Sequence, residues 1–310
     1  MELTTVWFVA IAFLWTGYFV LEGFDFGVGV LLPALARGEA ERRQALATIG
    51  PVWDGNEVWL ITAVGAMFAA FPAWYAGLLS GYYLPLVAVL AALIVRGVAL
   101  EWRGKVEARA RAWCDAGIVA GSAIAAFTWG AVFGNLLAGG PAGTLAGGAL
   151  ALALAALHGA VFLALRTEGP LRARARRAVP ALAVPALPLA AVTLPAIPGA
   201  AAGGTGEWTA HPGAWAAAAA AMAALAAAVA LAWRRREGWA FAATAAAVAL
   251  LTASVFGALW REPLPGLTVA GAASGPYTLG LLTWIAGAAL PVVLAYQGWT
   301  YWVFRRRVAA

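Results

Sequence analysis

The chain begins with an apolar run from about Val6 to Ala36 that contains two carboxylates, Glu22 and Asp25. The run is longer than a core helix of a globular protein needs, and its length fits a helix that crosses a membrane. A carboxylate at membrane depth is costly, so such residues are usually pathway or binding groups with a partner. Glu22 and Asp25 are three residues apart and share one helix face. We expect Glu22 and Asp25 to be either pathway or binding residues, or a structural pair whose hydrogen bonds hold two helices together.

The composition extends the membrane interpretation to the whole chain. Of the 310 residues, 64% are hydrophobic and 11% are charged, which is outside the range of soluble domains. No short apolar segment with a small-residue cleavage site occurs near the start, so the first run is interpreted as a span rather than a signal peptide. The single cysteine, Cys114, excludes a disulfide framework and cysteine-ligated zinc or iron–sulfur sites. We predict an all-α polytopic membrane protein, with residues 1–310 forming one integral membrane domain.

The basic residues indicate how the chain crosses the bilayer. Every basic residue except Arg96 and Arg261 falls in a link that follows an odd-numbered span. The positive-inside rule therefore places the amino terminus outside the cell and the carboxy terminus in the cytoplasm. Because the positive charge is confined to these links, it does not indicate a nucleic-acid partner. The nine predicted spans lie near residues 5–36, 47–71, 75–101, 113–138, 145–165, 178–199, 213–233, 238–260 and 277–304.

The start of the second span carries two further acids, Asp54 and Glu57, close behind Pro51. An acid in a first helical turn at the water surface is favoured by the helix dipole, which would explain Asp54 without any functional role. Depth argues against that explanation, because Asp54 lies 11 residues beyond Arg43, or about 16 Å along a continuous helix. We therefore expect Asp54 to lie within the membrane.

The first three spans are predicted to bring ionisable side chains together in the cytoplasmic half of the membrane. A fixed guanidinium can keep one acid ionised while neighbouring acids are neutral and exchange protons, as a proton inlet requires. The alternative is an inert buried polar cluster that anchors three helices. Most of the 16 tryptophans, including those that flank this cluster, are interpreted as residues of the interfacial belt. The cluster comprises Glu22, Asp25, Asp54, Glu57, Arg96 and Glu101, with Trp53, Asn56 and Trp59 beside it.

Ligands for redox metals are scarce in this sequence. Haem and copper centres usually draw on His, Met or Cys, and the chain has two His, three Met and one Cys. His158 lies in the middle of a predicted span and is interpreted as a hydrogen-bonded packing residue, whereas His211 falls in an outer loop. We expect no metal site and no redox centre in this chain.

The first 110 residues carry five short motifs, which are Glu22-Gly23-Phe24-Asp25-Phe26-Gly27-Val28-Gly29, Trp53-Asp54-Gly55-Asn56-Glu57-Val58-Trp59-Leu60-Ile61-Thr62, Phe71-Pro72 with Tyr75, Ser80-Gly81-Tyr82-Tyr83 and Arg96-Gly97-Val98. In order and spacing these motifs resemble those of subunit II of the cytochrome bd quinol oxidases. The resemblance implies two four-helix bundles, residues 1–138 and 145–260, and one peripheral helix, residues 277–304. It also implies a multi-pass protein of the bacterial cell membrane.

The resemblance further implies a role within a complex. Subunit I carries two b haems and one d haem together with the quinol-oxidising loop, and the complex uses quinol to reduce O2 to water. Subunit II is haem-free, scaffolds the complex and brings protons from the cytoplasm. Some members keep a structural quinone in this subunit, and the residues leave open both this quinone and a small single-helix subunit.

Individual positions match the family's motif. Asp54 matches the proton-pathway acid, Asp25 and Arg96 match other buried charged positions, and Trp53 matches the tryptophan beside the acid. Glu22 and Glu57 fall where some members have other polar residues.

Two alternative functions are compatible with buried acids and an arginine. A proton-coupled secondary transporter would place such residues near the midplane between repeats, but no corresponding pair of interrupted polar helices occurs in the second half of the chain. The other alternative is a purely structural partner subunit.

Overall fold

The computed structural model describes residues 2–195, 212–260 and 262–309, and within these ranges the regular structure is helical. His211 and the end of the predicted sixth span lie outside the described residues. The described ranges contain twelve helices, which are α1 (Leu3–Leu35), α2 (Gly38–Ile49), α3 (Trp53–Ala70), α4 (Pro72–Gly81), α5 (Tyr83–Trp102), α6 (Ala108–Ala138), α7 (Gly140–Arg166), α8 (Gly169–Thr193), α9 (Pro212–Trp233), α10 (Glu237–Leu259), α11 (Val269–Ala272) and α12 (Pro276–Val303).

Eight of these helices are long and apolar enough to cross a membrane, namely α1, α5, α6, α7, α8, α9, α10 and α12. This confirms the predicted all-α polytopic membrane fold. The predicted second span corresponds mainly to α3, which has 18 residues and is not among the eight. The count of nine spans and the division into two bundles stay predictions.

Two predicted spans are interrupted in the structure. Residues 47–71 are not one helix, because α2 ends at Ile49 and α3 begins at Trp53. Pro51 explains the break, since its ring cannot donate a hydrogen bond and clashes with the preceding turn. The depth estimated for Asp54 from a continuous helix is therefore wrong, and Asp54 lies in the first turn of α3. Residues 75–101 are likewise divided, between α4 and α5, at Tyr82 (φ −118°, ψ 31°).

Helix α1 packs against α3, α6, α7 and α10 and so lies at the centre of the described fold. Its closest approach to α7 occurs at Gly27, where a Cβ atom would lie 1.9 Å from the carbonyl oxygen of Ala155. On α7, Gly159 faces the backbone of Gly27 in the same way. Small residues allow membrane helices to approach at backbone distance, and packing replaces the hydrophobic effect as the source of stability there. This contact fixes the face of α1 that carries the acids.

Replacing Gly27 by valine is expected to destabilise the protein by about 1–3 kcal/mol, the usual cost of overpacking a close contact. The new side chain would meet backbone atoms of α7, which cannot move aside as a flexible side chain would. The measurement is the thermal unfolding midpoint of the purified protein in detergent. The matched control is Gly65→Ala, because a Cβ at Gly65 meets nothing within 4 Å. A Gly27→Val midpoint no lower than that of the control would contradict the prediction.

The arginine-rich ends of the helices meet at one end of the molecule, which we call the basic end. Helix α2 is held there by ion pairs, since Glu39 accepts hydrogen bonds from Arg103 at 2.9 and 3.0 Å and Glu41 accepts one from Arg174. These hydrogen bonds from arginine lower the pKa of Glu39 and of Glu41 below the ordinary value of a glutamate. Helix α2 therefore links the arginine-bearing ends of α5 and α8.

The carboxy-terminal segment also attaches to the basic end. The backbone N–H of Val308 donates to the carbonyl oxygen of Arg166 at 2.8 Å, and Val308 pairs with Thr167 in a parallel bridge. The carbonyl oxygen of Val308 accepts a hydrogen bond from Gln44 of α2 at 2.8 Å. The segment after α12 is thus fixed to α2 and to the link between α7 and α8.

Candidate functional site

Three helices bring one arginine and two glutamates into contact inside the protein. Arg96 of α5 places its Nη1 atom 2.6 Å from Oε1 of Glu22 on α1 and 2.9 Å from Oε1 of Glu57 on α3. Glu22 and Arg96 are fully buried, whereas the side chain of Glu57 is 24% exposed. The guanidinium also lies 5.1 Å from the ring centre of Phe26, which is within the range of a cation–π contact. A single cation therefore neutralises part of the charge of two acids.

Asp25 is held by an amide rather than by the arginine. Its Oδ2 atom accepts a hydrogen bond of 2.7 Å from Nδ2 of Asn56, the residue that precedes Glu57 on α3. The Oδ1 atom of Asn56 accepts hydrogen bonds from Gln297 Nε2 at 3.0 Å and from the hydroxyl of Tyr301 at 2.9 Å. Asn56 therefore links α1 and α3 to the last helix, α12.

Gln297 and Tyr301 are not among the site residues predicted from the sequence. They are four residues apart in an otherwise apolar span and so share one helix face. A pair of polar side chains at that spacing was the signal that could have revealed them.

Several buried polar atoms of the site have no hydrogen-bond partner among the described residues. They are both carboxylate oxygens of Glu22, Oδ1 of Asp25, and Nε and Nη2 of Arg96. Glu22 Oε1 is within ion-pair distance of Arg96 but outside hydrogen-bonding geometry. Buried polar groups are nearly always satisfied, often by ordered water. The cluster therefore has polar groups suited to holding water molecules.

The outer acids of the predicted cluster lie apart from the buried ones. Asp54 is exposed, and it forms no ion pair or hydrogen bond with any described residue. It lies three residues before Glu57 on α3, so the two share one side of that helix. Glu101 is 58% exposed and pairs with Lys105 at 3.4 Å. The structure therefore places Glu101 away from Arg96, although the sequence predicts both in one cluster.

The two tryptophans beside the cluster occupy different positions. Trp59 is 8% exposed, and its ring fills the space at Gly17 of α1, where a Cβ would lie 2.0 Å from the ring. Its interpretation as a belt residue is wrong, because the indole packs between helices. The ring of Trp53 is partly buried and lies beside Gly97 of α5. Both indoles thus help to fix α3 against the helices that carry Glu22 and Arg96.

His158 on α7 packs as the sequence analysis expects. Its Nδ1 atom lies 2.6 Å from the hydroxyl of Thr244, its Nε2 atom lies 3.2 Å from the carbonyl oxygen of Val20, and the ring stacks on Phe241. Both ring nitrogens are therefore engaged, so the residue does not fit the role of an axial haem ligand. Among the described residues, no group of three or more His, Cys, Asp or Glu side chains is placed to hold a metal ion.

An apolar cavity of about 330 Å³ lies between α1, α6, α7, α8 and α10. Aromatic side chains line much of its wall, including Phe19, Trp129, Phe133 and Phe256. The remaining wall consists largely of glycine and alanine from α6 and α7. Such a lining suits an apolar ligand with a ring or an isoprenoid chain.

Comparison with known proteins gives consistent matches over the whole chain. Residues 3–304 match the model of the family described as cytochrome bd terminal oxidase subunit II. The chain is 38% identical to cytochrome bd ubiquinol oxidase subunit 2 of Bacillus subtilis, over 99% of this chain and 97% of that protein. It is 31% identical to cytochrome bd-I ubiquinol oxidase subunit 2 of Escherichia coli, over 98% and 94% of the two chains.

The fold also has a solved counterpart. A chain in the structure of bd oxidase from Geobacillus thermodenitrificans superimposes with a TM-score of 0.78 at 17% identity, and the match covers 98% of this chain and 99% of that chain.

Proposed function

The chain belongs to the family of cytochrome bd terminal oxidase subunit II, and on this premise we propose that it supplies protons to a quinol:oxygen oxidoreductase. In this proposal it is the haem-free subunit and pairs with a subunit I that carries the b and d haems. The complex oxidises quinol and reduces O2 to water. This chain scaffolds subunit I and conducts protons from the cytoplasm toward it.

The gradual burial of the acids along α3 and α1 is the observation that carries the proposal. Asp54 is exposed, Glu57 is 24% exposed, and Glu22 and Asp25 are fully buried. A proton taken up at Asp54 has an acid one turn further along α3 at Glu57. From there Arg96 bridges to Glu22, because its Nη1 atom lies within 3 Å of both glutamates. A proton inlet needs this order of exposure, whereas an inert polar cluster that only anchors three helices does not require it.

The charges of the cluster support proton exchange. One guanidinium faces Glu22 and Glu57, and a third acid, Asp25, lies one turn away on α1. Three ionised acids beside one cation would leave a net negative charge in a low-dielectric site, which is costly. We infer that at least one acid holds a proton at any time. The unpartnered atoms of Glu22, Asp25 and Arg96 can hold the water molecules that carry protons between these acids.

The proposed orientation follows from the basic end. By the positive-inside rule, the arginine-rich links face the cytoplasm, so the amino terminus lies outside and the carboxy terminus inside the cell. Protons for O2 reduction would then come from the cytoplasm, while quinol oxidation releases protons on the outer side. A proton gradient results without a pump.

The apolar cavity is the place we propose for a structural quinone in this chain. Its aromatic and small-residue lining suits an isoprenoid quinone. The ring of His158 also lines the cavity, but both of its nitrogens are already engaged, so apolar contact would dominate binding.

Affinity purification of the chain from its own membranes in mild detergent tests the assignment. We expect it to bring down a haem-bearing partner that gives a reduced-minus-oxidised spectrum of b and d haems, and the preparation should consume O2 when quinol is added. Chemical crosslinking before solubilisation controls for detergent that separates the subunits. A colourless chain that crosslinks to no haem protein would contradict the proposal and favour a proton-coupled transporter.

A further inference from the structure

A groove of about 370 Å³ lies between α8 and α9 at the basic end. Three guanidinium groups line it, those of Arg176, Arg177 and Arg235. Its remaining wall is apolar and comes from both helices: Ala173 and Pro180 of α8, and Val229, Ala232 and Trp233 of α9. The groove thus combines concentrated positive charge with an apolar surface, and it is distinct from the acid cluster around Arg96.

The arginines of the groove are less well paired than others at the basic end. Arg103 and Arg174 each bind carboxylates of α2. In the groove, Arg176 shares Glu237 with Arg172, at 3.4 Å and 3.0 Å respectively.

Arg177 and Arg235 form no ion pair with any residue in the described part of the chain, and no acid lines the groove. Like charges that line one groove repel each other unless an anion lies between them.

The backbone at the end of α9 places Arg235 at the groove. Arg236 N–H donates to the carbonyl oxygen of Leu231, and Arg235 N–H donates to that of Ala232, each at 3.0 Å. This pair of bonds is the Schellman ending of a helix, in which the residue at the Arg235 position is left-handed and usually glycine. Arg235 has φ 61°. An arginine in place of glycine adds a guanidinium to the groove at the cost of a less favourable backbone conformation.

The position of the groove across the membrane indicates what kind of anion it binds. Trp233 is 79% exposed, and exposed tryptophan at the end of a membrane helix is typical of the headgroup region. Val229 and Pro180 extend the groove toward the apolar part of the helices. A ligand that uses both surfaces needs a negative head and an apolar tail.

We propose that this groove binds the phosphodiester headgroup of an anionic phospholipid, with Arg177 and Arg235 on either side of the phosphate. The apolar wall would contact the first part of an acyl chain. Basic pockets between membrane helices on the cytoplasmic side are suited to such headgroups. This site is independent of proton transfer, so it stands whether or not the inlet is correct.

Native mass spectrometry of the complex purified with its partner subunit tests the site. The complex is depleted of lipid and titrated with phosphatidylglycerol, and the variant is Arg177→Gln with Arg235→Gly. The glycine suits the left-handed position, so the variant is expected to fold. Each cation near an anionic surface contributes a factor of about five, so we expect phosphatidylglycerol affinity to fall on the order of 25-fold. Arg109→Gln, an exposed arginine elsewhere at the basic end, is the control and should leave affinity unchanged.

Two further titrations identify the ligand. Phosphatidylcholine, which has the same phosphodiester but no net charge, should bind the unaltered complex much more weakly than phosphatidylglycerol. Inorganic phosphate at the same concentration should not displace bound phosphatidylglycerol, because it lacks an acyl chain. Equal affinity of the variant and the unaltered complex, equal binding of phosphatidylcholine, or displacement by phosphate would each overturn the proposal.

Discussion

Replacing Arg96 by leucine is expected to destabilise the protein by about 3–5 kcal/mol, the usual cost of removing one partner from a buried ion pair. Arg96 is fully buried and its Nη1 atom faces both Glu22 and Glu57. Without the guanidinium, buried carboxylates avoid the cost of an uncompensated charge by taking up protons. Infrared spectra of the variant should therefore show additional carbonyl bands from protonated carboxyl groups, and the thermal midpoint should fall.

A double variant separates the charge effect from the loss of packing. Glu22→Gln combined with Arg96→Leu removes the acid closest to the guanidinium together with its partner. Since a neutral pair carries no unpaired charge, we expect the double variant to recover a large part of the stability lost in Arg96→Leu alone. If Arg96→Leu shows neither new carboxyl bands nor a lower midpoint, direct coupling between Arg96 and the acids is wrong.

Replacing Asp54 by asparagine is expected to lower quinol-driven O2 consumption about a hundredfold, the lower end of what a positioned proton-transfer group contributes. Asparagine has nearly the same shape as aspartate but cannot take up and release a proton. Asp54 is exposed and forms no ion pair among the described residues, so this change should leave the fold and the assembly intact. Proton uptake from the cytoplasmic side, measured in vesicles, should fall in parallel with turnover.

The control for this prediction is Glu101→Gln, which also removes one exposed carboxylate. Among the described residues, Glu101 forms an ion pair with Lys105 alone, on the surface, and such pairs contribute little. Turnover of this variant should match that of the unaltered complex. The haem spectrum of each preparation shows whether subunit I is still bound. An Asp54→Asn complex that assembles and keeps normal turnover and proton uptake would exclude Asp54 as the inlet.

Much of the buried cluster could be predicted from the sequence because membrane burial makes charged residues conspicuous. Glu22, Asp25, Glu57 and Arg96 interrupt apolar runs, and the alternation of basic links gives each span a direction. Those two facts are enough to place the residues at a similar depth. The contacts of Arg96 with Glu22 and Glu57 agree with that expectation.

The depth of Asp54 and the participation of α12 could not be predicted, because they depend on where the helices break and on which face of each helix packs against its neighbours. The depth of Asp54 does not follow from its separation from Arg43 in the sequence, because the chain breaks at Gly50-Pro51 and the two residues lie on different helices. The participation of α12 was missed because Gln297 and Tyr301 carry no charge and so do not disturb hydropathy. Their contact with Asn56 depends on how α12 packs against α3, which apolar spans alone do not specify.

The hydrogen bonds of Asn56 have a consequence for how far a proton can travel. Its oxygen accepts from Gln297 and Tyr301, and its nitrogen donates to Asp25. The nitrogen also donates to the carbonyl oxygen of Leu21 at 3.4 Å, an acceptor that favours this orientation of the amide. An amide does not readily take up or release protons at neutral pH. Asn56 is therefore not expected to relay protons between the acids and the last helix. We expect Tyr301, although only one residue away from Asp25 in the hydrogen-bond network, to stay outside the conducting path.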